Sequence, residues 1–340
     1  MSVRLPVRLP VLTTSATRAY RACPRLYWFS YEQGYRPIYV DPNRRFGTLG
    51  HCGLEAWWIA RKDAPDDPES WIAAAMSELE KHNESDPFER ARAEVLLMGY
   101  HARWAEEPLE VLAVEREFNA PLVNPATGAA SRTWSFGGKI DAIVRLDGEV
   151  WAVEHKTSAE DFSAGSDYRT RLLLDPQVSN YLAGCRTLGF EVKGCLYDVI
   201  GKPLQRPKKK VAEVKMTKGS KKEPPRPCAN QQLEDETVDE YRERVAAFVA
   251  ERPDDFFARF KVVRLGHEAR EAAFDIWQAG VQIREARNDT VWPRNPDVCK
   301  RYGRSCDFLG VCTGQADIND PTRFRVAATA NEELSGAQAS

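Results

Sequence analysis

Two short runs of alternating apolar and polar residues lie next to each other near the middle of the chain. They cover residues 139–146 and 149–156, and the dipeptide Asp147-Gly148 separates them. Alternation with a period of two is typical of a strand with one buried face. An Asp-Gly pair tolerates the positive φ angles of a two-residue turn. The pattern therefore predicts a β-hairpin in which Leu146 lies opposite Glu149.

The register of this hairpin brings three charged side chains to one face. Counting back from the turn, Asp141 lies opposite Glu154, and directly opposed residues have β carbons about 4.5–5.5 Å apart. Lys156 is two residues beyond Glu154 and emerges on the same face, because side chains alternate along a strand. The neighbouring residues are expected to point to the other face, which is apolar enough to be core: Ile140, Ala142 and Val153. His155 is expected to point the same way, and we interpret it as structural.

Periodic patterns elsewhere predict helices before and after the hairpin and further strands beside it. Helices are expected at residues 14–30, 44–62, 70–81, 87–106, 234–250 and 268–287, and strands at residues 109–118, 190–200 and 260–265. Pro24 is expected to kink or end the first helix. Asp175 is a strong N-cap residue and Pro176 suits the first helical position, so another helix should begin just before Gln177.

Composition places the chain among folded proteins. Its 340 residues are 43% hydrophobic and 10% aromatic, enough for a sizeable core in one elaborated domain or two smaller ones. The formal net charge of −2 argues against general electrostatic adhesion to nucleic acid but leaves room for a local basic groove. No apolar run approaches the roughly 18 residues of a membrane span, and arginine and proline interrupt the apolar N-terminus, so we expect a cytoplasmic protein.

The charged face of the hairpin has two interpretations. The facing carboxylates of Asp141 and Glu154 suit a hard divalent cation such as Mg²⁺ or Mn²⁺, which also takes ligands from water and phosphate. Such an ion polarises a phosphodiester and lowers the pKa of a bound water, and Lys156 would add positive charge near the reacting groups. The alternative is a surface hairpin with a Glu-Lys ion pair, and the spacing alone favours this simpler interpretation.

Three motifs in order resemble the PD-(D/E)XK nuclease superfamily, specifically its RecB-type exonuclease branch. That branch has an Asp on one strand and Glu-x-Lys on the next, as in Asp141 and Glu154-His155-Lys156. It has an upstream G-x-x-x-H-x-x-L-E pattern, matched by residues 47–55, and a downstream Q-x-x-x-Y, matched by residues 177–181. The resemblance covers nearly the whole chain, from residue 15 to residue 312.

The resemblance implies a fold and a set of site residues. The expected fold is an α/β (α+β) restriction-endonuclease-like core, in which helices flank a central mixed sheet. The implied metal ligands are His51, Asp141 and Glu154. The implied catalytic residues are Asp141, Glu154, Lys156, Gln177 and Tyr181. Among these, Lys156 would assist the attacking water. Gln177 and Tyr181 would contact either a substrate phosphate or the catalytic patch, which is the group of Asp141, Glu154 and Lys156.

Three of the eight cysteines stand close together near the C-terminus. Cys299, Cys306 and Cys312 lie among glycine and proline rather than in a long apolar run, which is more typical of metal ligands than of core residues. A tetrahedral sulfur site needs a fourth thiolate, and Cys23 is the favoured one. The resemblance to four-cysteine members of the RecB branch implies a [4Fe-4S] cluster that clamps the chain ends. The cysteine spacing differs from that of the better-known members, and zinc is the alternative.

A strongly basic segment follows the strand expected at residues 190–200. Residues 201–227 contain ten Lys or Arg and two Glu. Such a run is commonly a solvated flexible loop, and it also suits phosphate binding, because lysine-rich segments release counterions from nucleic acid. We expect both properties, with four lysines as candidate nucleic-acid contacts: Lys202, Lys208, Lys209 and Lys210.

Together these features predict five regions along the chain. They are an N-terminal helical region with Cys23 and His51 (1–108), the nuclease core (109–200), a basic flexible arm (201–233), a C-terminal helical region with three cysteines (234–313) and a disordered tail (314–340).

The predicted function is divalent-metal-dependent hydrolysis of DNA, and the resemblance implies an exonuclease that acts at free DNA ends. Enzymes of this kind serve phage or bacterial recombination, repair or CRISPR adaptation, so the implied protein partners are recombination proteins, a helicase or a CRISPR integrase. The alternative is a DNA-end-binding component of a recombination or spacer-acquisition complex with little activity of its own. The intact Asp, Glu and Lys argue against that alternative, since a binding module does not need them.

Overall fold

A computed structural model describes residues 9–82, 84–213, 215, 216, 218, 228, 231–301 and 304–334. The helices are α1 (Thr14–Ala22), α2 (Pro24–Tyr27), α3 (Pro42–Asp63), α4 (Pro68–Glu80), α5 (Pro87–Trp104), α6 (Asp167–Leu172), α7 (Pro176–Thr187), α8 (Val238–Glu251), α9 (Gly266–Asp289) and α10 (Leu309–Cys312). The strands are β1 (Val11–Leu12), β2 (Tyr35–Pro37), β3 (Leu109–Val123), β4 (Ala130–Leu146), β5 (Glu149–Ser158), β6 (Gly194–Gly201), β7 (Lys209–Lys210), β8 (Gln231–Gln232), β9 (Phe257–Val262), β10 (Lys300–Arg301), β11 (Arg304–Ser305) and β12 (Phe324–Val326). No helix in these ranges is long and apolar enough to cross a membrane.

The central hairpin has the predicted turn and register. Asp147 and Gly148 have φ angles of 53° and 78°, as a two-residue turn with two left-handed residues requires. Leu146 pairs with Glu149, and the ladder between β4 and β5 continues in that register to Ala142 and Val153. The predicted turn and register are therefore confirmed as far as Ala142 and Val153, and the ladder ends one residue short of the expected pair of Asp141 and Glu154.

The central sheet has six strands and is mixed. Its path runs β1, β4, β5, β6 and β9, and β3 pairs with β4 as well. The pairs β1 with β4 and β5 with β6 are parallel, and the remaining pairs are antiparallel. The strand expected at residues 190–200 begins at Gly194 and lies beside β5, as predicted.

Helices cover both faces of this sheet. On one face α3, α4, α5 and α8 pack in the larger hydrophobic cluster, which includes Trp57 and Trp58. On the other face α1, α7 and α9 pack around Ile140, Ile143 and the ring of Tyr181. This is the α/β fold with a mixed sheet between helices that the sequence predicted. Ile140 was expected on the same face as Ala142, and that prediction was wrong, because the alternation along β4 is broken at Asp141. The larger cluster contains residues from both sides of residue 108, so the N-terminal helices and the sheet share one core.

Two local predictions about helix ends are also confirmed. The expected helix at residues 14–30 is interrupted, because α1 ends at Ala22 and α2 starts at Pro24. The side chain of Asp175 accepts a hydrogen bond of 2.8 Å from the Gln177 N–H at the start of α7. The Asp-Pro signal therefore fixes where α7 begins, and with it the direction of the Gln177 side chain.

The C-terminal tail differs from the expectation. Residues 314–334 were expected to be disordered, but β12 pairs with β2, and Phe324 is 6% exposed against Phe308 and Phe29. The tail has few apolar residues, and the pattern around Phe324 is too sparse to predict a strand. Part of the expected flexible arm lies outside the described residues, since 214, 217, 219–227, 229 and 230 are not among them.

Candidate active site

Asp141 lies in a gap along one edge of β4. On that edge, β1 pairs with β4 at Ser135 and Phe136, and β5 pairs with it only from Ala142 onward. Beyond Ala142 the N–H of His155 donates a 2.8 Å hydrogen bond to Oδ2 of Asp141 instead of joining the ladder. The carboxylate thus terminates the ladder, and its second oxygen is left for other partners.

Three side chains from different elements converge at this gap. Nε2 of His51, on α3, lies 3.7 Å from Oδ1 of Asp141. The third side chain is that of Glu115, on β3. One ligand atom from each of the three residues lies within 4.8 Å of the other two. One imidazole and two carboxylates at this separation are a donor set that suits a divalent cation. His51 and Asp141 were predicted as metal ligands, and the structure brings them together.

Glu115 was not predicted. It lies on β3 opposite Asp141 of β4, between the pairs Val114–Ala142 and Arg116–Ile140. Its φ angle is 50°, which is unusual for a residue other than glycine. A register shift earlier in β3 leads into this distortion. A glutamate in the middle of an alternating strand normally indicates a solvent-facing position, so the pattern gave no signal for a ligand.

Burial and the neighbouring Asp141 carboxylate raise the pKa of Glu115 to about 7, although its ion pair with Lys139 opposes the shift. Burial also lowers the pKa of His51 to about 4, helped by His155 and Lys156, even though 37% of the His51 side chain is exposed. The imidazole is therefore neutral at pH 7, and its lone pair is available to a metal ion.

Glu154 and Lys156 form an ion pair beside this group. Glu154 is 1% exposed, and burial together with Asp141 raises its pKa against the effect of Lys156. Burial alone would lower the pKa of Lys156, but Glu154 and Asp141 raise it overall. Glu154 was predicted as a metal ligand, yet it does not belong to the group within 4.8 Å. Its carboxylate instead holds the ammonium group of Lys156 beside Asp141.

Gln177 and Tyr181 reach the same patch from α7. Nε2 of Gln177 donates to the Tyr181 hydroxyl at 3.2 Å, and that hydroxyl donates to Oδ1 of Asp141 at 3.4 Å. Burial, Asp141 and Glu154 hold the pKa of Tyr181 well above its ordinary value, so the hydroxyl keeps its proton. The two residues contact the catalytic patch, which was one of their two expected roles.

Asp141, Glu154 and Lys156 thus have the strand positions of the D…ExK signature. A family model described as the PD-(D/E)XK nuclease superfamily matches residues 11–313, which is most of the chain. The chain belongs to the PD-(D/E)XK nuclease superfamily. Membership implies a metal-dependent nuclease that hydrolyses phosphodiester bonds of DNA, in agreement with the His51, Glu115 and Asp141 group.

Other comparisons add little to this assignment. A search of curated proteins gives no match. One solved structure that matches is described as "Crystal structure of SSO0001"; it is 14% identical, and the match covers 79% of this chain and 86% of the other, with a TM-score of 0.30. A TM-score this low does not establish a shared fold.

Behind the site of this superfamily member lies a buried polar network. The carboxylate of Asp198, on β6, is fully buried and accepts a 2.5 Å hydrogen bond from the Tyr100 hydroxyl. It also lies 3.0 Å from Nη2 of Arg259 and 3.2 Å from Nδ1 of His155. The imidazole of His155 is thus held by Asp198, while its backbone N–H holds the carboxylate of Asp141. Both interactions agree with the structural role predicted for His155.

The four cysteines of the predicted cluster line one cavity of about 580 Å³. Cys299 and Cys306 flank the hairpin of β10 and β11, and the Cys306 N–H donates to the Cys299 carbonyl at 2.8 Å. Cys312 lies at the end of α10, and Cys23 lies between α1 and α2. In the described part of the nuclease, no three cysteine sulfurs lie within 4.8 Å of one another. The cysteines share a cavity without touching.

The predicted nucleic-acid contacts lie in two places. Lys202 directly follows β6 and lies near α3, because a β carbon added at Gly47 would be 3.8 Å from its Nζ. Lys208 is half-buried, and its N–H donates to Glu236 at 2.8 Å. Lys209 and Lys210 are exposed on β7, which pairs with β8. Lys202 thus lies between α3 and the end of β5, and the other three lie further along the arm.

Proposed function

We propose that the protein is a divalent-metal-dependent deoxyribonuclease that acts as an exonuclease at DNA ends. The observation that supports this best is the convergence of His51, Glu115 and Asp141 at the gap in the sheet, next to the buried pair of Glu154 and Lys156. A surface hairpin would not bury a glutamate to 1% exposure. The resemblance to RecB-type exonucleases supplies the preference for ends and the proposed roles in recombination, repair or CRISPR adaptation.

The residues have distinct roles in this proposal. His51, Glu115 and Asp141, with Glu154 at their side, would hold Mg²⁺ or Mn²⁺. When bound, such an ion polarises the phosphodiester and lowers the pKa of a water. Lys156 remains an ammonium group, because the adjacent carboxylates raise its pKa, and it supplies positive charge to the attacking water and the phosphate. Gln177 and Tyr181 orient the Asp141 carboxylate, and the basic arm binds the DNA backbone.

Degradation of end-labelled linear DNA tests this proposal. We expect degradation with Mg²⁺ or Mn²⁺ and none with EDTA, because chelation removes the Lewis acid that polarises the phosphodiester. A covalently closed circle of the same sequence is the control, and an exonuclease leaves it intact. DNA binding without cleavage in both metals would contradict the proposal and favour the DNA-end-binding alternative. Cleavage of the circle would retain the nuclease and exclude the restriction to ends.

We also propose that Cys23, Cys299, Cys306 and Cys312 hold a [4Fe-4S] cluster. Their shared cavity supports this, and the resemblance to four-cysteine members of the RecB branch supplies the cluster type. The separation of the sulfurs does not support it, since no three of those described lie within 4.8 Å of one another. Zinc in the same four-cysteine site is the alternative. The cluster would be structural, since the cavity lies among Phe29, Phe308 and the chain ends.

The colour and metal content of anaerobically purified protein test the cluster. We expect a brown protein with about four irons per chain, as four thiolates around one cluster imply. Cys299→Ser should lose both colour and iron, and Cys228→Ser, in the basic arm, is the matched control that keeps them. A colourless protein with one zinc per chain would exclude the iron-sulfur cluster and leave a zinc site.

A further inference from the structure

A notch lies where α3 crosses the end of β5, at Thr157, the residue that follows Lys156 in the chain. Gly47 is partly exposed on α3, and its missing side chain forms the notch. A β carbon at this position would lie 3.3 Å from Oγ1 of Thr157 and 3.8 Å from Nζ of Lys202. A hydroxyl group and an ammonium group therefore face the same small space.

Positive charge exceeds negative charge around this notch. Lys202 and Arg92 both lie against the buried ring of Phe46, with Nζ 5.7 Å and the guanidinium carbon 4.5 Å from the ring centroid. Arg304 lies close by and pairs with Asp41 at 3.0 Å. Burial, Arg304 and Arg92 lower the pKa of Lys202, and Asp41 opposes them. Cations crowded in this way favour an anionic ligand.

Arg92 has hydrogen-bonding capacity to spare. Its Nη1 donates to the carbonyl of Pro203 at 3.3 Å, which holds the guanidinium next to Lys202. Its Nε is buried and has no hydrogen-bond partner within the part of the chain that the structure describes. A buried donor of this kind is costly unless a ligand or water satisfies it.

We propose that the Gly47 notch is a phosphate-binding subsite for the DNA strand, formed by Nζ of Lys202, Oγ1 of Thr157 and the guanidinium group of Arg92. This inference rests on the proposed nuclease function. Phosphate fits because its oxygens accept hydrogen bonds from ammonium, hydroxyl and guanidinium groups together. The glycine is needed because the oxygens occupy the space that a side chain would fill.

The position of the notch indicates which phosphate it binds. Thr157 directly follows Lys156, and Gly47 precedes His51 by four residues, or about 6 Å along the helix. The notch therefore lies about one helical turn from His51, on the side of β5 that faces α3. At that position it would bind a phosphate of the strand other than the one that reacts. That phosphate is either the terminal phosphate of a DNA end or an internal phosphodiester, and both have the same chemistry.

Steady-state kinetics of Lys202→Met distinguish these two sources. We expect KM to rise about tenfold while kcat changes little, because a charge-assisted hydrogen bond to bound DNA is lost. If KM rises only on duplexes with 5′-phosphate ends and not on those with 5′-hydroxyl ends, the notch binds a terminal phosphate. An equal rise on both substrates indicates an internal phosphodiester. Lys193→Met, which removes an exposed lysine paired with Glu149, is the control, and a KM equal to the control's on both substrates would overturn the proposal.

Gly47→Ala and Gly50→Ala form a second matched pair. Both changes replace a glycine in α3 with the best helix former, so neither should unfold the helix. A β carbon at Gly50 would meet only Cγ2 of Thr157, at an ordinary 3.7 Å. We expect Gly47→Ala to raise KM several-fold and Gly50→Ala to leave it unchanged. Equal KM values for the two variants would contradict the subsite.

Equilibrium binding separates a failure of the subsite from a failure of the nuclease function. Fluorescence anisotropy with labelled duplex can use Asp141→Asn protein, which retains the notch. Adding Lys202→Met should weaken binding and reduce the slope of log affinity against log salt by about one. If Lys202→Met weakens binding but the unmodified protein never cleaves DNA, the subsite is retained and the nuclease function is rejected. Cleavage by the unmodified protein with an unchanged salt slope would reject the subsite alone.

Discussion

Asp141→Asn is expected to lower metal-dependent DNA hydrolysis by about 10³-fold. The substitution removes one negative charge from the group of His51, Glu115 and Asp141, and with it the attraction for a divalent cation. It keeps the size of the side chain and an oxygen that can accept the hydrogen bond from the His155 N–H. Initial rates on end-labelled linear duplex, with circular dichroism to verify the fold, measure the effect.

Asp147→Asn is the matched control in the same hairpin. Asp147 is exposed at the turn, pairs with Lys261 at 3.2 Å and has a left-handed backbone that asparagine also adopts. Exposed ion pairs contribute little, so its rate should stay within about twofold of the unmodified protein. Undiminished hydrolysis by Asp141→Asn would exclude this site as the catalytic centre.

Asp198→Asn is expected to destabilise the protein by about 3 kcal/mol, the typical cost of removing one partner from a buried ion pair. Asparagine preserves the shape of Asp198 but leaves the buried Arg259 side chain, which is 3% exposed, with Glu107 as its remaining carboxylate partner among the described residues. The fall in the free energy of unfolding can be measured with urea in the presence of EDTA. Asp254→Asn, which removes an exposed ion pair with Arg103, is the control and should cost under about 1 kcal/mol.

The difference in unfolding free energy between the unmodified protein and Asp198→Asn should also depend on pH. Burial would raise the pKa of Asp198, but Arg259 and His155 outweigh it and lower the pKa from 3.8 to about 2. A carboxyl group with a lowered folded-state pKa stabilises the protein fully above its unfolded-state pKa and loses that contribution as the pH falls. The stability difference between the unmodified protein and Asp198→Asn should therefore be constant above about pH 5 and shrink between pH 4 and pH 2. A difference that grew on acidification would contradict the assignment of the charge to Asp198.

The sequence predicted those parts of the site that depend on short-range geometry. The Asp147-Gly148 turn determines its own backbone angles, so the register follows from counting residues along two strands. The position of Gln177 follows in the same way from the cap at Asp175. In both cases the decisive interaction lies within a few residues along the chain.

The parts that the sequence did not predict depend on packing between distant segments. Glu115 joins the site through a backbone distortion in β3. Glycine is the one residue type that would have indicated a positive φ angle within a strand. Asp198 and Arg259 read as ordinary strand residues, and only the alignment of β6 with β9 buries them together. The burial of Glu154 beside Lys156 likewise depends on packing against the sheet, which alternation does not reveal.

The ladder between β2 and β12 bears on how this protein is best produced. The family match ends at residue 313, so a gene shortened there would look like a natural choice for expression. Such a protein would lack Phe324, whose ring stacks on Phe308 at 5.5 Å, while Phe308 stacks on Phe29 at 4.8 Å. It would also leave β2 with an unpaired edge, which invites association with other chains. The shortest version that keeps the ladder between β2 and β12, and with it the support of Phe324 behind Phe308, therefore extends to at least Val326.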